Sequence, residues 1–280
     1  MGKGMAPTEQ LLLQRKQWDQ CPIPVEPDIT VRQQSIGTLR CEWINAPEPG
    51  EAVILYLHGG GFTKGSLDSH RELVSRVARA SNARVFNVEY RLAPEATFPA
   101  QREDAMTAYR FLLGEGIDPK AMVVAGDSAG GGLAVLLLVA VRDEGLPLPA
   151  AAFAMSPLTD LTLGAESFRT RAHVDPYTRE GVGKVVELYL GGADARDPKA
   201  SPLFADLRGL PPLLLQAGDY EVLLDDTVRL AKRATDAGVT VTLEVFDKMS
   251  HVFQMNSATD AESRRAISQI GDFVRQHAKK

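Results

Sequence analysis

From Ala52 onward, short apolar runs rich in β-branched residues alternate with stretches of helical period, and this alternation restricts the chain more than any other feature. Strand patterns fall at 52–57, 84–90, 121–125, 150–155, 213–217 and 239–246. Helical spacing occupies 69–81, 101–114, 130–144, 225–237 and, at the end, 259–279. Such an order builds an α/β fold, a mostly parallel central sheet with helices on both faces. Ahead of it the sequence predicts a short helix over 8–19, an extended Pro-rich stretch over 21–28 and a hairpin over 33–45.

The rhythm breaks once. Between Thr159 and Ser201 the chain is polar and Gly-rich, helical around 179–190, and without a strand pattern. Long insertions in such folds are usually functional, which makes this segment a candidate lid over the sheet's active edge; a plain surface excursion is the other reading.

Composition narrows the function classes. Of 280 residues, 31 are Lys or Arg against 36 Asp or Glu, a net charge of −5, and no basic run interrupts the chain before its final Lys-Lys. A nucleic-acid binder normally shows a basic face, so nucleic acid is not expected as a partner. The longest apolar stretch near a motif, 128–141, falls short of the roughly 18 residues a membrane span needs. Leu11-Leu12-Leu13 is too short for the apolar centre of a signal peptide. The two cysteines, Cys21 and Cys41, follow no metal-ligand spacing and read as thiols of a reducing compartment, so no membrane association and a cytoplasmic location are expected.

Between strand 121–125 and helix 130–144 stand Gly126-Asp127-Ser128-Ala129-Gly130. A G-x-S-x-G pattern is weak alone, but at a strand-to-helix turn it is the setting of a nucleophile elbow. The turn holds the serine in a strained conformation at a helix N-terminus, whose dipole favours developing negative charge. Glycines flank it because a Cβ there would meet the neighbouring strand and helix. Upstream, strand 52–57 runs into His58-Gly59-Gly60-Gly61-Phe62. Acyl transfer needs preorganised backbone donors for its oxyanion, and a glycine run lets the main chain approach the substrate. The N–H of Ala129, after the nucleophile, is one expected donor, and this loop supplies others.

A base must accept the Ser128 proton. Of His58, His70, His173, His251 and His277, only the last three follow the serine, as the chain order serine, acid, histidine requires. His173 lies in the candidate lid and His277 near the chain end; His251 follows strand 239–246 at the edge where the site belongs. The acid should follow strand 213–217, where Asp219, Glu221, Asp225 and Asp226 are available. Asp225 and Asp226 open a helix, which stabilises carboxylates in any case.

His58-Gly59-Gly60-Gly61-Phe62, Gly126-Asp127-Ser128-Ala129-Gly130 and Tyr90-Arg91-Leu92-Ala93-Pro94-Glu95 with Phe98-Pro99-Ala100 together resemble the hormone-sensitive-lipase-like esterases of the α/β-hydrolase superfamily. So do Ser156-Pro157-Leu158-Thr159-Asp160, Ser201-Pro202-Leu203 and Leu210-Pro211-Pro212; the similarity runs from about Ala52 to His251. The resemblance implies a cofactor-free serine carboxylesterase acting on small, short- to medium-chain esters. It implies a helical cap, dividing the chain into an N-terminal cap segment 1–45, core 46–160, cap insertion 161–200 and core 201–280. It places oxyanion donors on Gly60, Gly61 and Ala129, the base on His251, and His58 as a support of the glycine loop. Arg91 and Glu95 read as buried braces, and Asp127 as a hydrogen-bonding support. The family's Asp-x-Leu-x-Asp phrase, set on Leu223 and Asp225, puts Glu221 at the acid position, with Asp219 as competitor. An amidase or peptidase would use the same triad. A non-catalytic receptor on this fold would lack the histidine, which here is present. Strand 239–246, if at the sheet edge, would offer a pairing surface for a homodimer.

Overall fold

The computed structural model describes residues 6–20 and 24–278. Its first half runs α1 (Glu9–Trp18), β1 (Thr30–Ile36), β2 (Leu39–Asn45), β3 (Val53–Leu57), α2 (Leu67–Ser81), β4 (Arg84–Glu89) and α3 (Ala100–Gly114). The second runs β5 (Met122–Asp127), α4 (Ser128–Asp143), β6 (Ala151–Met155), α5 (Ser167–Thr170), α6 (Arg179–Leu190), β7 (Leu213–Tyr220), α7 (Leu224–Asp236), β8 (Val241–Ser250) and α8 (Ala261–His277). Part of the extended 21–28 stretch, Cys21 and the final Lys-Lys lie outside the described residues.

One eight-stranded sheet has the order β1-β2-β4-β3-β5-β6-β7-β8. The β1–β2 and β2–β4 pairs are antiparallel and the rest parallel. Alternation along β3 sorts the two cores, as the two-residue period of a strand requires. Val53, Leu55 and Leu57 join the core under α3, α4 and α7; Ile54 and Tyr56 join the one under α2 and α8. Helix α4, buried along almost its whole length, explains the unbroken apolar run that follows the elbow.

Several boundaries differ from expectation. The hairpin starts at Thr30, three residues early, because β1 is exposed and carries no apolar alternation to announce it. Helix α4 begins at Ser128 itself. Strands β7 and β8 run on to Tyr220 and Ser250. The half-exposed residues of β8 make its last part read as loop. The 159–201 segment carries α5 and α6 and no strand, as expected.

Candidate active site

The elbow is built from close approach. A Cβ on Gly130 would come 2.0 Å from the Leu57 carbonyl oxygen, and one on Gly126 2.5 Å from the same atom, so strand β3 packs directly on the turn. Ser128 is consequently held at φ 52°, a region non-glycine residues seldom occupy. Its Oγ stands at the first turn of α4, at the carboxyl edge of the parallel strands, where ligands bind in open α/β sheets.

Ser128 Oγ lies 3.0 Å from His251 Nε2, and His251 Nδ1 lies 3.3 Å from Glu221 Oε2. The second contact is long for a hydrogen bond, as is common before substrate tightens such a site. Nδ1–H pointing at Glu221 leaves the Nε2 lone pair facing the serine, the tautomer a general base needs. Glu221 is fully buried, and burial raises its pKa against the pull of His251 and Ser156. Burial would lower the pKa of His251, but its hydrogen bond to Glu221 and that carboxylate's charge override this, so the net direction is upward. Asp219, the competitor, turns away and accepts the Lys248 backbone N–H at 2.5 Å.

Two supports escaped the sequence reading. Ser156 Oγ donates to Glu221 Oε2 at 2.7 Å and accepts the Val252 N–H at 3.1 Å, tying acid loop to histidine loop. Asp175 in the 159–201 segment accepts the Val222 N–H at 2.7 Å, and Tyr177 sets its ring edge against His251 at 5.1 Å. Ser156 stands in a quoted motif that carries no signal of this role. Nothing in the sequence marks Asp175.

Behind the serine, Asp127 is buried and accepts the Tyr56 hydroxyl at 2.8 Å and the Gly59 N–H at 3.0 Å, the supporting part expected of it. Burial alone would raise its pKa; His70 and the Tyr56 hydroxyl hold it low. His58 stacks on Tyr90 at 4.2 Å and lies 2.8 Å from the Gly59 carbonyl through Nδ1; burial, then His70, push its pKa down to about 3, so it is neutral. Gly60 sits at φ 111°, and a Cβ there would lie 2.3 Å from the Lys64 carbonyl oxygen, so this loop position admits glycine alone. Arg91 and Glu95 are paired but not buried, which corrects the expectation: Arg91 binds Asp104 at 2.8 Å and Glu95 binds Arg15 at 2.6 Å, each pair within reach of solvent.

A cavity of about 740 Å³ opens over Ser128, Gly60, Gly61 and His251. Helix α1 lines it through Leu11, Gln14 and Trp18, and α6 through Val182, Val185 and Leu188. Among the described residues no three His, Cys, Asp or Glu side chains converge as metal ligands, and no helix is long and apolar enough to cross a membrane.

A doubly covered parallel sheet with a strained serine at a strand–helix junction, facing a histidine and a buried carboxylate from later loops, defines an α/β hydrolase. A family model described as the alpha/beta hydrolase fold matches residues 54–255. An esterase of the bacterial hormone-sensitive lipase family superposes with TM-score 0.95 at 45% identity, covering 98% of this chain and 94% of that one. An acetyl-hydrolase of Streptomyces hygroscopicus is 45% identical over 86% of this chain and 81% of its own length. An esterase of Acinetobacter venetianus is 36% identical over 90% of this chain and 84% of its own. The chain belongs to the α/β-hydrolase family, in its hormone-sensitive-lipase branch.

Proposed function

We propose that this chain, a carboxylic ester hydrolase of that branch, works through a Ser128–His251–Glu221 triad. The 3.0 Å approach of Ser128 Oγ to His251 Nε2 is the observation that carries the reading. Ser128 Oγ attacks the ester carbonyl carbon while Nε2 takes its proton. The oxyanion rests on the backbone N–H groups of Gly60, Gly61 and Ala129. Collapse expels the alcohol, which receives the proton from His251, and leaves an acyl-enzyme. Water, deprotonated by the same histidine, then releases the acid. Glu221 orients the imidazole and stabilises its cation. No cofactor enters the cycle.

The N-terminal segment 1–45 contributes α1 to the cap while its hairpin β1–β2 joins the sheet, and the insertion 161–200 completes the cap on a core of 46–160 and 201–280. That α1 and α6 both line the cavity supports this. A capped cavity of about 740 Å³ suits soluble esters of short to medium acyl length. Two relatives whose names speak of acetyl-hydrolase and esterase activity point the same way. Labelling with a serine-reactive organophosphate, peptide mapping and an acyl-length screen test it together. Label on Ser128 and turnover falling with chain length are expected; label elsewhere, or preference for emulsified long-chain triglyceride, overturns the reading.

Pairing of two copies along β8 is part of the proposal. That strand is at the sheet edge, with Leu243 and Val245 exposed, and sedimentation of Val245→Lys against the unaltered chain tests it. A cytoplasmic setting accords with Cys41, a free thiol whose pKa burial, then nearby carboxylates, push up to about 12; cell fractionation tests that.

A further inference from the structure

The cavity is chemically lopsided. From α6 it takes aliphatic side chains with Lys184 as the one charged group, whereas α1 and the glycine loop bring Gln10, Gln14, Trp18 and Lys64. Lys64 is half-buried, and its ammonium sits 5.2 Å over the Trp18 ring. No carboxylate among the described residues is within ion-pair distance of it. The neighbouring cations are spoken for: Lys184, also on the cavity wall, pairs with Glu180 at 2.8 Å, and Arg15 with Glu95 at 2.6 Å. Burial lowers the Lys64 pKa, so the amine stands partly desolvated with no anion in return. The Lys64 N–H donates to the Gly60 carbonyl at 3.0 Å, which fixes the root of the side chain on the glycine loop. The ammonium is therefore no more than a lysine stem from the loop that receives the ester oxygen.

Resting on the esterase reading above, we propose that Lys64 is a specificity-determining residue that binds a carboxylate carried by the substrate, a few bonds from the scissile carbonyl. The preferred substrates are half-esters of short dicarboxylic acids or acyl esters of short hydroxy acids. The aliphatic remainder lies toward α6, and the carboxylate replaces the counter-ion that Lys64 lacks. Trp18 flattens that end of the cavity and steadies the cation through its ring face.

The test uses the full chain and two matched pairs: monoethyl glutarate with ethyl butyrate, and 4-acetoxybutanoate with butyl acetate, followed by pH-stat. The quantity read is the kcat/KM ratio of anionic to neutral ester within each pair, for the unaltered chain, Lys64→Met and Lys64→Arg. Lys64→Met should lower the ratio about tenfold for at least one pair, as loss of a charged hydrogen-bond partner does. Lys64→Arg should restore most of it, and 0.5 M salt should lower it in the unaltered chain and in Lys64→Arg but not in Lys64→Met. A lysine that merely braces α1 through Trp18 would shift both members of a pair together and leave the ratio alone. Equal ratios in the unaltered chain and Lys64→Met for both pairs overturn the proposal while the esterase reading stands. Absence of turnover on all four esters removes that reading, and this one with it.

Discussion

Tyr220 and Ser250 face each other as the last paired residues of β7 and β8, so Glu221 and His251 leave the sheet side by side. A register shift between Gly218 and Tyr220 turns the chain at this point. It sends Asp219 to the Lys248 backbone while Glu221 reaches inward to the imidazole. Strand pairing thus brings Glu221, the proposed acid, beside His251 and carries Asp219 away from it.

Glu221→Gln keeps the shape and removes the charge that stabilises the imidazolium. A neighbouring amide also permits the wrong tautomer. In a serine protease triad, the corresponding aspartate-to-asparagine change costs about 10⁴ in kcat, and a loss of that order is expected here. Asp219→Asn should cost far less. Steady-state kinetics on both variants decide; a crippled Asp219→Asn beside a near-normal Glu221→Gln would move the acid by two residues.

Ser128→Ala removes a hydroxyl without opening the core. Ester turnover should fall by several orders of magnitude while the melting temperature changes little. Retention of most activity in a folded variant would place the nucleophile elsewhere.

Ser156→Ala breaks the link between the two triad loops. Glu221 loses its 2.7 Å donor and the Val252 N–H its acceptor, so both loops loosen. We expect kcat to fall by roughly tenfold with KM nearly constant, since the hydroxyl holds the geometry and touches no substrate. An unchanged kcat would mean that Asp175 alone is enough to hold the acid loop.

As the proposed base, His251 can accept the serine proton only when neutral. Burial pushes its pKa down, but Glu221 pushes it further up, to above the free-histidine value of about 6.5. The kcat/KM profile should therefore lose activity as pH falls, with its midpoint above 6.5. In Glu221→Gln burial is opposed only by the charges of Asp175 and Asp127, so the His251 ring resonance should titrate lower by NMR than in the unaltered chain. A midpoint that does not move between the two proteins would uncouple the pair.

The parts of this arrangement that the sequence reveals are those with local causes. The pairing of Ser128 with His251 at 3.0 Å is legible: a glycine-flanked serine between an apolar strand and an apolar helix has few other uses, and His251 is singled out by chain order among few histidines. Ser156 and Asp175 act on Glu221 and Val222 from 65 and 47 residues away, and a single serine or aspartate carries no periodicity that would point across such a gap. The exposed faces of β1 and β8 hide strand ends for a related reason, since alternation appears only where one face is buried. Arg91 and Glu95 read as buried because their motif is apolar around them, yet their guanidinium and carboxylate reach out to Asp104 and Arg15 near the surface.

Asp226 provides a stability test away from the triad. Its Oδ2 accepts the Thr159 and Asp160 N–H groups at 2.7 and 2.9 Å. No cation is its own, because Arg229 is held by Asp160 at 2.8 Å. Burial outweighs the two backbone donors and lifts its pKa to about 7. An unfolded aspartate titrates near 3.9, so between these values the folded chain holds a proton that the unfolded chain has lost. Its contribution is fully present below about 4 and is lost as pH rises through about 7, at up to about 1.4 kcal/mol per pH unit. Asp226→Asn keeps an acceptor for the two N–H groups and removes the titration. Its melting temperature, taken relative to the unaltered chain, should rise between pH 4.5 and 7 and level off above that. A difference that stays flat across that range would mean that Asp226 is ionised throughout and that the two backbone donors suffice to hold its charge.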